Sequence, residues 1–274
     1  NMPMIKMCIS VFPYLSNRIV ESSGNTVLEH VVDFGDTDTI RLMLRKGANP
    51  NCHGYYGTTP LMSAHTLDVM KLLIEAGADV NATDDKGNTP LLNLLTYTTA
   101  PSPEVKLLLD NGADVNVKDK HTIMRDWGGN TPLHQAVEGN HEMVVKMLLE
   151  KGADINARDN SGCYPLHRIA NMDTLVGDSA NDESNKEAYR IIDMLIKHGA
   201  DINAVDNDGM TVLNHIARIA ECDDWYYVME YLIKKGAKVN LQDNMGCTPL
   251  ALAYKHPMSN QRIISLLKEH GARK

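Results

Sequence analysis

Large aromatic side chains are scarce in this chain: Phe, Trp and Tyr make up 5% of its 274 residues, with two Phe and two Trp. Big rings normally dominate core energetics, so the interior here has to be assembled from Leu, Ile, Val, Met and Ala. That composition suits small, closely spaced helices. Paired cysteines are absent too. The five present (Cys8, Cys52, Cys163, Cys222 and Cys247) are odd in number, scattered, and never spaced as CxxC. This is neither a disulfide framework nor a zinc site, and points to a reducing compartment. No basic excess exists. The formal net charge is −8, which argues against a broad phosphate-binding surface and against nucleic acid as a partner. No apolar run approaches the ~18 residues of a membrane-spanning helix. At 43% hydrophobic and 23% charged residues, the chain is not a disordered tail either. The first residues, Asn1 to Met7, lack the organisation of a signal peptide. Asn1 is not a natural start and is expected to be a remnant or a cut site.

What the chain does have is repetition. Gly-x-Thr-Pro-Leu or a close relative begins at Gly24, Gly57, Gly87, Gly129, Gly162, Gly209 and Gly246. A second string, Gly-Ala, follows each one at Gly47, Gly77, Gly112, Gly152, Gly199, Gly236 and Gly271. It usually continues as Asp-Val/Ile-Asn. A Leu-rich stretch such as Val144–Leu149 lies between the two strings. The pattern predicts two short helices per unit, then an extended tip. Thr-Pro opens the first helix, because Thr is a cap and Pro is tolerated in the first turn. Leu133, Ala136 and Val137 recur at helical spacing and face a neighbour. The glycine of Gly-Ala sits where a left-handed residue ends a helix. Asp-x-x-Gly, as in Asp84 to Gly87, reads as a turn. One such unit cannot bury its apolar face alone, so neighbours must stack.

On these residues the chain resembles the ankyrin-repeat family. The fullest match is Gly129-Asn130-Thr131-Pro132-Leu133-His134-Gln135-Ala136, running on to Gly152-Ala153-Asp154-Ile155-Asn156-Ala157. The resemblance covers residues 21–274 and implies an all-α fold, a solenoid of helix-turn-helix units with extended β-turn fingers. It divides the chain into a degenerate half-repeat or cap at 1–20 and a single domain of about seven repeats at 21–274. It also implies that His134 and His167 order their turns by hydrogen bonding, which explains them better than a Cys163–His167 nucleophile does. No phosphate loop, metal-ligand spacing or Gly-x-Ser-x-Gly is present, so no catalysis, metal or cofactor is expected.

The repeat lengths are irregular. Successive motif glycines are 33, 30, 42, 33, 47 and 37 residues apart, with insertions near 117–128, 171–188 and 220–227. These are read as loops, either part of a binding face or tolerated drift. Residues 171–188 carry a net charge of −4 and residues 220–227 a net of −3. Asp178, Asp182, Glu183, Asp223, Asp224 and Trp225 therefore form a candidate acidic patch for a basic protein surface. The alternative is that the acids are solvated and Trp225 and Tyr227 pack at the start of a helix.

The resemblance implies an interaction module: an adaptor, scaffold or inhibitor that binds a protein on its concave surface of fingers and first helices. The other reading is a targeting or regulatory domain cut from a larger enzyme or from a secreted or viral effector. By resemblance, the partner-binding candidates flank the motif glycines: Tyr55, Tyr56, Asp85, Lys86, Trp127, Asn160, Asp208 and Met245. Thr58, Asn88, Asn130, Ser161, Asn207, Met210 and Asn244 occupy equivalent tip positions. Tyr and Trp are favoured hot-spot residues. The expected state is a monomer in the cytoplasm or another reducing compartment (a host cell, for an effector), without a membrane or nucleic-acid partner.

Overall fold

A computed structural model describes residues 24–97, 103–120, 128–172, 182–219, 225–255 and 260–273. Among the described residues the regular elements are helices. In one compact unit, α1 (Val27–Phe34) and α2 (Thr37–Arg45) follow Gly24, α3 (Leu67–Glu75) follows Gly57, and α4 (Pro90–Tyr97) and α5 (Pro103–Asp110) follow Gly87. In a second unit, α6 (Pro132–Glu138) and α7 (Glu142–Glu150) follow Gly129, and a 3-10 helix (Pro165–Asn171) and α8 (Glu183–Lys197) follow Gly162. The same unit continues with α9 (Val212–Ile219) and α10 (Tyr226–Lys234), then α11 (Pro249–Ala253) and α12 (Gln261–Glu269).

Local chemistry sets the boundaries. Thr26 caps α1, accepting from the Glu29 N–H at 3.2 Å while its own N–H donates to Glu29 Oε2 at 2.8 Å. These reciprocal bonds satisfy two amides that the first turn leaves unpaired. Pro132 stands at the first position of α6, after the Thr131 cap, where a missing N–H costs nothing. Gly77 ends α3 at φ +91°, a conformation that strains any residue with a Cβ. There its N–H reaches Ile74 O and the Ala78 N–H reaches Leu73 O, both at 2.9 Å, closing the open carbonyls.

Packing then stacks the pairs. Within the second unit the first-position elements α6, the 3-10 helix, α9 and α11 lie in contact in that order. The second-position helices α7, α8, α10 and α12 form a parallel row behind them. In the first unit, α3 packs on both α2 and α5. The buried sets follow the sequence periodicity: Leu133, Ala136 and Val137 on α6, and Val144, Val145, Leu148 and Leu149 on α7. Each fully buried Leu contributes about 1.5–3 kcal/mol.

Three expectations need correction. After Gly57 there is no first helix, only a turn across residues 60–63. Gly57 and Gly77 are 20 residues apart, against 23 for Gly129 and Gly152, and the shorter span lacks chain for two helices. After Gly162 the first helix is the tighter 3-10 form. The segment 171–188 is not all loop, since α8 begins at Glu183 and runs for 15 residues. The expected cap at 1–20 lies outside the described residues, as do 121–127, 173–181 and 220–224 within the insertions.

Candidate functional site

The fingers are held from inside and from their neighbours. Asp84 Oδ1 accepts from the N–H groups of Lys86 at 2.9 Å and Asn88 at 2.7 Å, closing a side-chain-directed turn. Asp206 and Asp243 do the same in their fingers. Adjacent tips are joined by single backbone bonds. In the first unit Asp85 N–H donates to Tyr56 O at 2.9 Å and Lys120 N–H to Lys86 O at 2.8 Å. In the second, Asn207 N–H donates to Ser161 O at 3.1 Å and Asn244 N–H to Asp208 O at 2.8 Å. At the finger base, the Asn of Asp-Val-Asn staples one unit to the next. Asn81 donates to Gly112 O at 3.0 Å and accepts from the Asp114 N–H at 2.8 Å. Asn51, Asn203 and Asn240 repeat the arrangement. The recurrence of this Asn was visible in the sequence, but its bridging role needs the stacked geometry.

Among the described residues one finger breaks the pattern. Where Asp84, Asp159, Asp206 and Asp243 stand in theirs, this one has Gly54, and a Cβ there would lie 2.0 Å from Glu29 Oε2. Glu29 is fully buried and spans the interface, accepting from the Thr58 hydroxyl at 3.0 Å. Without its Asp, the turn puts Tyr56 at φ +56°, a left-handed conformation uncommon for an aromatic residue. Tyr55 and Tyr56 project together, 54% and 55% exposed. Their ring centroids are 3.9 Å apart, and the Tyr55 hydroxyl donates to that of Tyr56 at 2.9 Å. Lys86 Nζ lies 5.8 Å from the Tyr56 ring centre.

The other tip candidates separate clearly. In the first unit Asp85 and Lys86 are exposed beside the tyrosine pair, with Thr58 and Asn88 half-buried. In the second, Asn160, Asn207, Asp208 and Asn244 are exposed, Ser161 and Asn130 are half-buried, and Met245 is 82% exposed. Met210 is no tip residue. It is buried, because the position after the motif glycine turns inward, as Cys163 does. Trp127 lies outside the described residues, as do Asp178, Asp223 and Asp224.

Of the acidic-patch candidates, Asp182, Glu183 and Trp225 lie within the described residues. Asp182 is half-buried at the start of α8. Glu183 pairs with Arg190 at 2.9 Å and Lys186 at 3.6 Å, and the Arg190 hydrogen bond holds its carboxyl below the usual range. Arg190 also reaches Glu142 at 2.9 Å. Glu183 is therefore ion-paired, yet its side chain stays 64% exposed. Trp225 is half-buried at the cap of α10. The Arg262 guanidinium lies 4.4 Å and 5.3 Å from the Tyr226 and Tyr227 ring centres. The aromatic group thus packs at the start of α10.

The histidines order their turns. His134 Nδ1 accepts from the Thr131 N–H at 3.2 Å, and Nε2 donates to Cys163 O at 3.0 Å in the next unit. His167 accepts from the Tyr164 N–H at 3.1 Å and donates to Ala204 O and Met210 O, each at 3.1 Å. Burial first, and nearby His215 second, push His167 down to about 4, so it is neutral at physiological pH. Asn214 takes the same place one unit later, accepting from the Thr211 N–H at 3.1 Å.

Next to His167 the fold assembles a polar group that sequence spacing did not reveal. Cys163 Sγ lies 3.7 Å from Asp206 Oδ2, and His215 Nε2 lies 2.7 Å from that same oxygen. Burial pushes the Cys163 thiol up to about 12, aided by the Asp159 and Asp206 charges. Such a thiol stays protonated, unlike the lowered-pKa thiolate of an activated Cys–His pair. Burial alone would raise the Asp206 carboxyl, but hydrogen bonds from His215 and the Met210 N–H outweigh it and hold it below the usual range. Asp159 is paired instead with Arg168 at 2.5 Å.

Among the described residues no helix is long and apolar enough to cross a membrane. A family model described as ankyrin repeats, three copies, matches residues 4–84, 65–159 and 181–274. The first match begins at residue 4, inside the stretch 1–20 expected to be a degenerate half-repeat or cap. No curated protein matches the chain.

Proposed function

The chain belongs to the ankyrin-repeat family, whose repeats are generally protein–protein interaction modules without catalysis, and from that premise we propose that it is a non-catalytic adaptor, scaffold or inhibitor. Its partner is a protein, seated on finger tips. The observation that carries this reading is the Tyr55–Tyr56 pair, two large exposed rings on a tip held in a strained turn. Strain of about 1–3 kcal/mol at a solvent-facing aromatic is retained only where something offsets it. Tyrosine buries a large area while losing little rotamer freedom, which makes it a common anchor. Lys86 and Asp85 beside it supply a polar rim. In the second unit Asn160, Asp208 and the exposed Met245 extend the proposal to its own tips.

The test compares wild type with a Tyr55→Ser/Tyr56→Gly variant as immobilised bait in native lysate. Glycine tolerates the left-handed turn, so the variant should melt at the same or a higher temperature. A protein retained by wild type should be lost. Retention of the same protein by both baits would contradict the assignment.

A further inference from the structure

We propose that Cys163, Asp206 and His215 form a binding site for a divalent transition metal ion, with zinc the natural occupant. Their ligand atoms, Sγ, a carboxylate oxygen and a ring nitrogen, all lie within 4.8 Å of one another. A four-coordinate zinc, with bonds of about 2.3 Å to sulfur and about 2.0 Å to nitrogen or oxygen, spaces its ligand atoms roughly 3.3–3.5 Å apart. The sulfur–oxygen separation of 3.7 Å is already close to that. The His215 ring, 2.7 Å from Asp206 Oδ2, has to retreat by about half an ångström.

The donor set is selective. Sulfur and imidazole nitrogen disfavour magnesium and calcium, which demand oxygen. One thiolate and one carboxylate cancel the charge of a divalent ion. On binding, the Cys163 thiol releases its proton to solvent, and the His215 proton passes from Nε2 to Nδ1, freeing Nε2 as ligand. Exposed Arg218, whose Nη2 lies 3.4 Å from His215 Nδ1, then swings away. Orientation is built in. Asp206 Oδ1 is fixed by the Asp208 and Met210 N–H groups, each at 2.9 Å, which leaves Oδ2 for the metal. The neighbouring charges do not compete. Asp159 is held by Arg168, and His167 donates to two carbonyls. The side chains of Asp206 and His215 are 3% and 12% exposed, so the site is shielded yet reachable, and a water completes the coordination. Cys163 follows Gly162 and His215 follows Gly209, with Asp206 in the finger between them. The ion would therefore clamp two neighbouring repeats.

Cobalt(II) is the probe, because a thiolate bound to it gives a sulfur-to-metal charge-transfer band in the near ultraviolet. The full chain, reduced with a phosphine, is titrated with cobalt and then with zinc. Wild type should develop the band at a single equivalent, lose it to zinc, and melt at a higher temperature with zinc than without. Cys163→Ser should lack the band, and His215→Gln should bind on the order of tenfold more weakly or worse. Circular dichroism of both metal-free variants checks that they are folded. Absence of the band in wild type, or its survival in Cys163→Ser, would overturn the site.

Discussion

His167 shows how one side chain ties two repeats together and what that tie requires. Its ring accepts from its own turn and donates to Ala204 O in the following finger and Met210 O just past Gly209, and it can do so only while neutral. Its folded value near 4 lies below the ordinary 6.5. Between those values the unfolded chain binds the extra proton, so folding stability is full above about pH 6.5 and is lost as pH falls toward 4. The shift corresponds to about 3 kcal/mol. Asn214 performs the same task with no titrating group, although its amide reaches Cys247 O at the longer distance of 3.4 Å. His167→Asn should therefore cost about 1 kcal/mol at neutral pH and flatten the decline of melting temperature with acid. An unchanged slope in urea or thermal melts across pH 4–7 would assign the acid sensitivity elsewhere.

The helices were the most readable part of the sequence, because cap, proline and apolar spacing agree over each motif. The turn after Gly57 shows the limit. Thr59-Pro60-Leu61 carries the helix-opening residues, yet the number of residues available before the next glycine decides what forms. Glu29 is another case. Its reach to Thr58 dictates Gly54 and hence the strained Tyr56 turn, a chain of causes running through space. The candidate tips were legible as repeat positions, but that Met210 faces the core has no local sequence signal. The Cys163–Asp206–His215 group was hidden for the same reason. Cys163 and Asp206 stand 43 residues apart and meet only when units stack. The stacking itself makes a firm prediction. Leu148 on α7 is wholly buried, so Leu148→Ala should cost about 2–5 kcal/mol. A loss under ~1 kcal/mol in urea unfolding would mean that the helix row does not carry the stack.

Across the molecule, net charge and tip chemistry point to different stages of binding. The chain carries −8, concentrated in sequence within 171–188 and 220–227, and such a bias raises association rate with a basic partner more than it slows dissociation. With Glu183 already paired, the charges to neutralise are Asp178, Asp182, Asp223 and Asp224. That variant should associate more slowly at low salt and match wild type at high salt in stopped-flow measurements. Equal rates at both would make these acids solvated surface.

Whether the partner seats on the tips is best read by site-specific photocrosslinking in native lysate. A crosslinking residue placed at Tyr56 is compared with one at Lys71, exposed on the second-position helix α3. The proposed docking mode predicts a discrete crosslinked protein from position 56 and none from position 71. Equal crosslinking from both, or crosslinking from 71 alone, would contradict it.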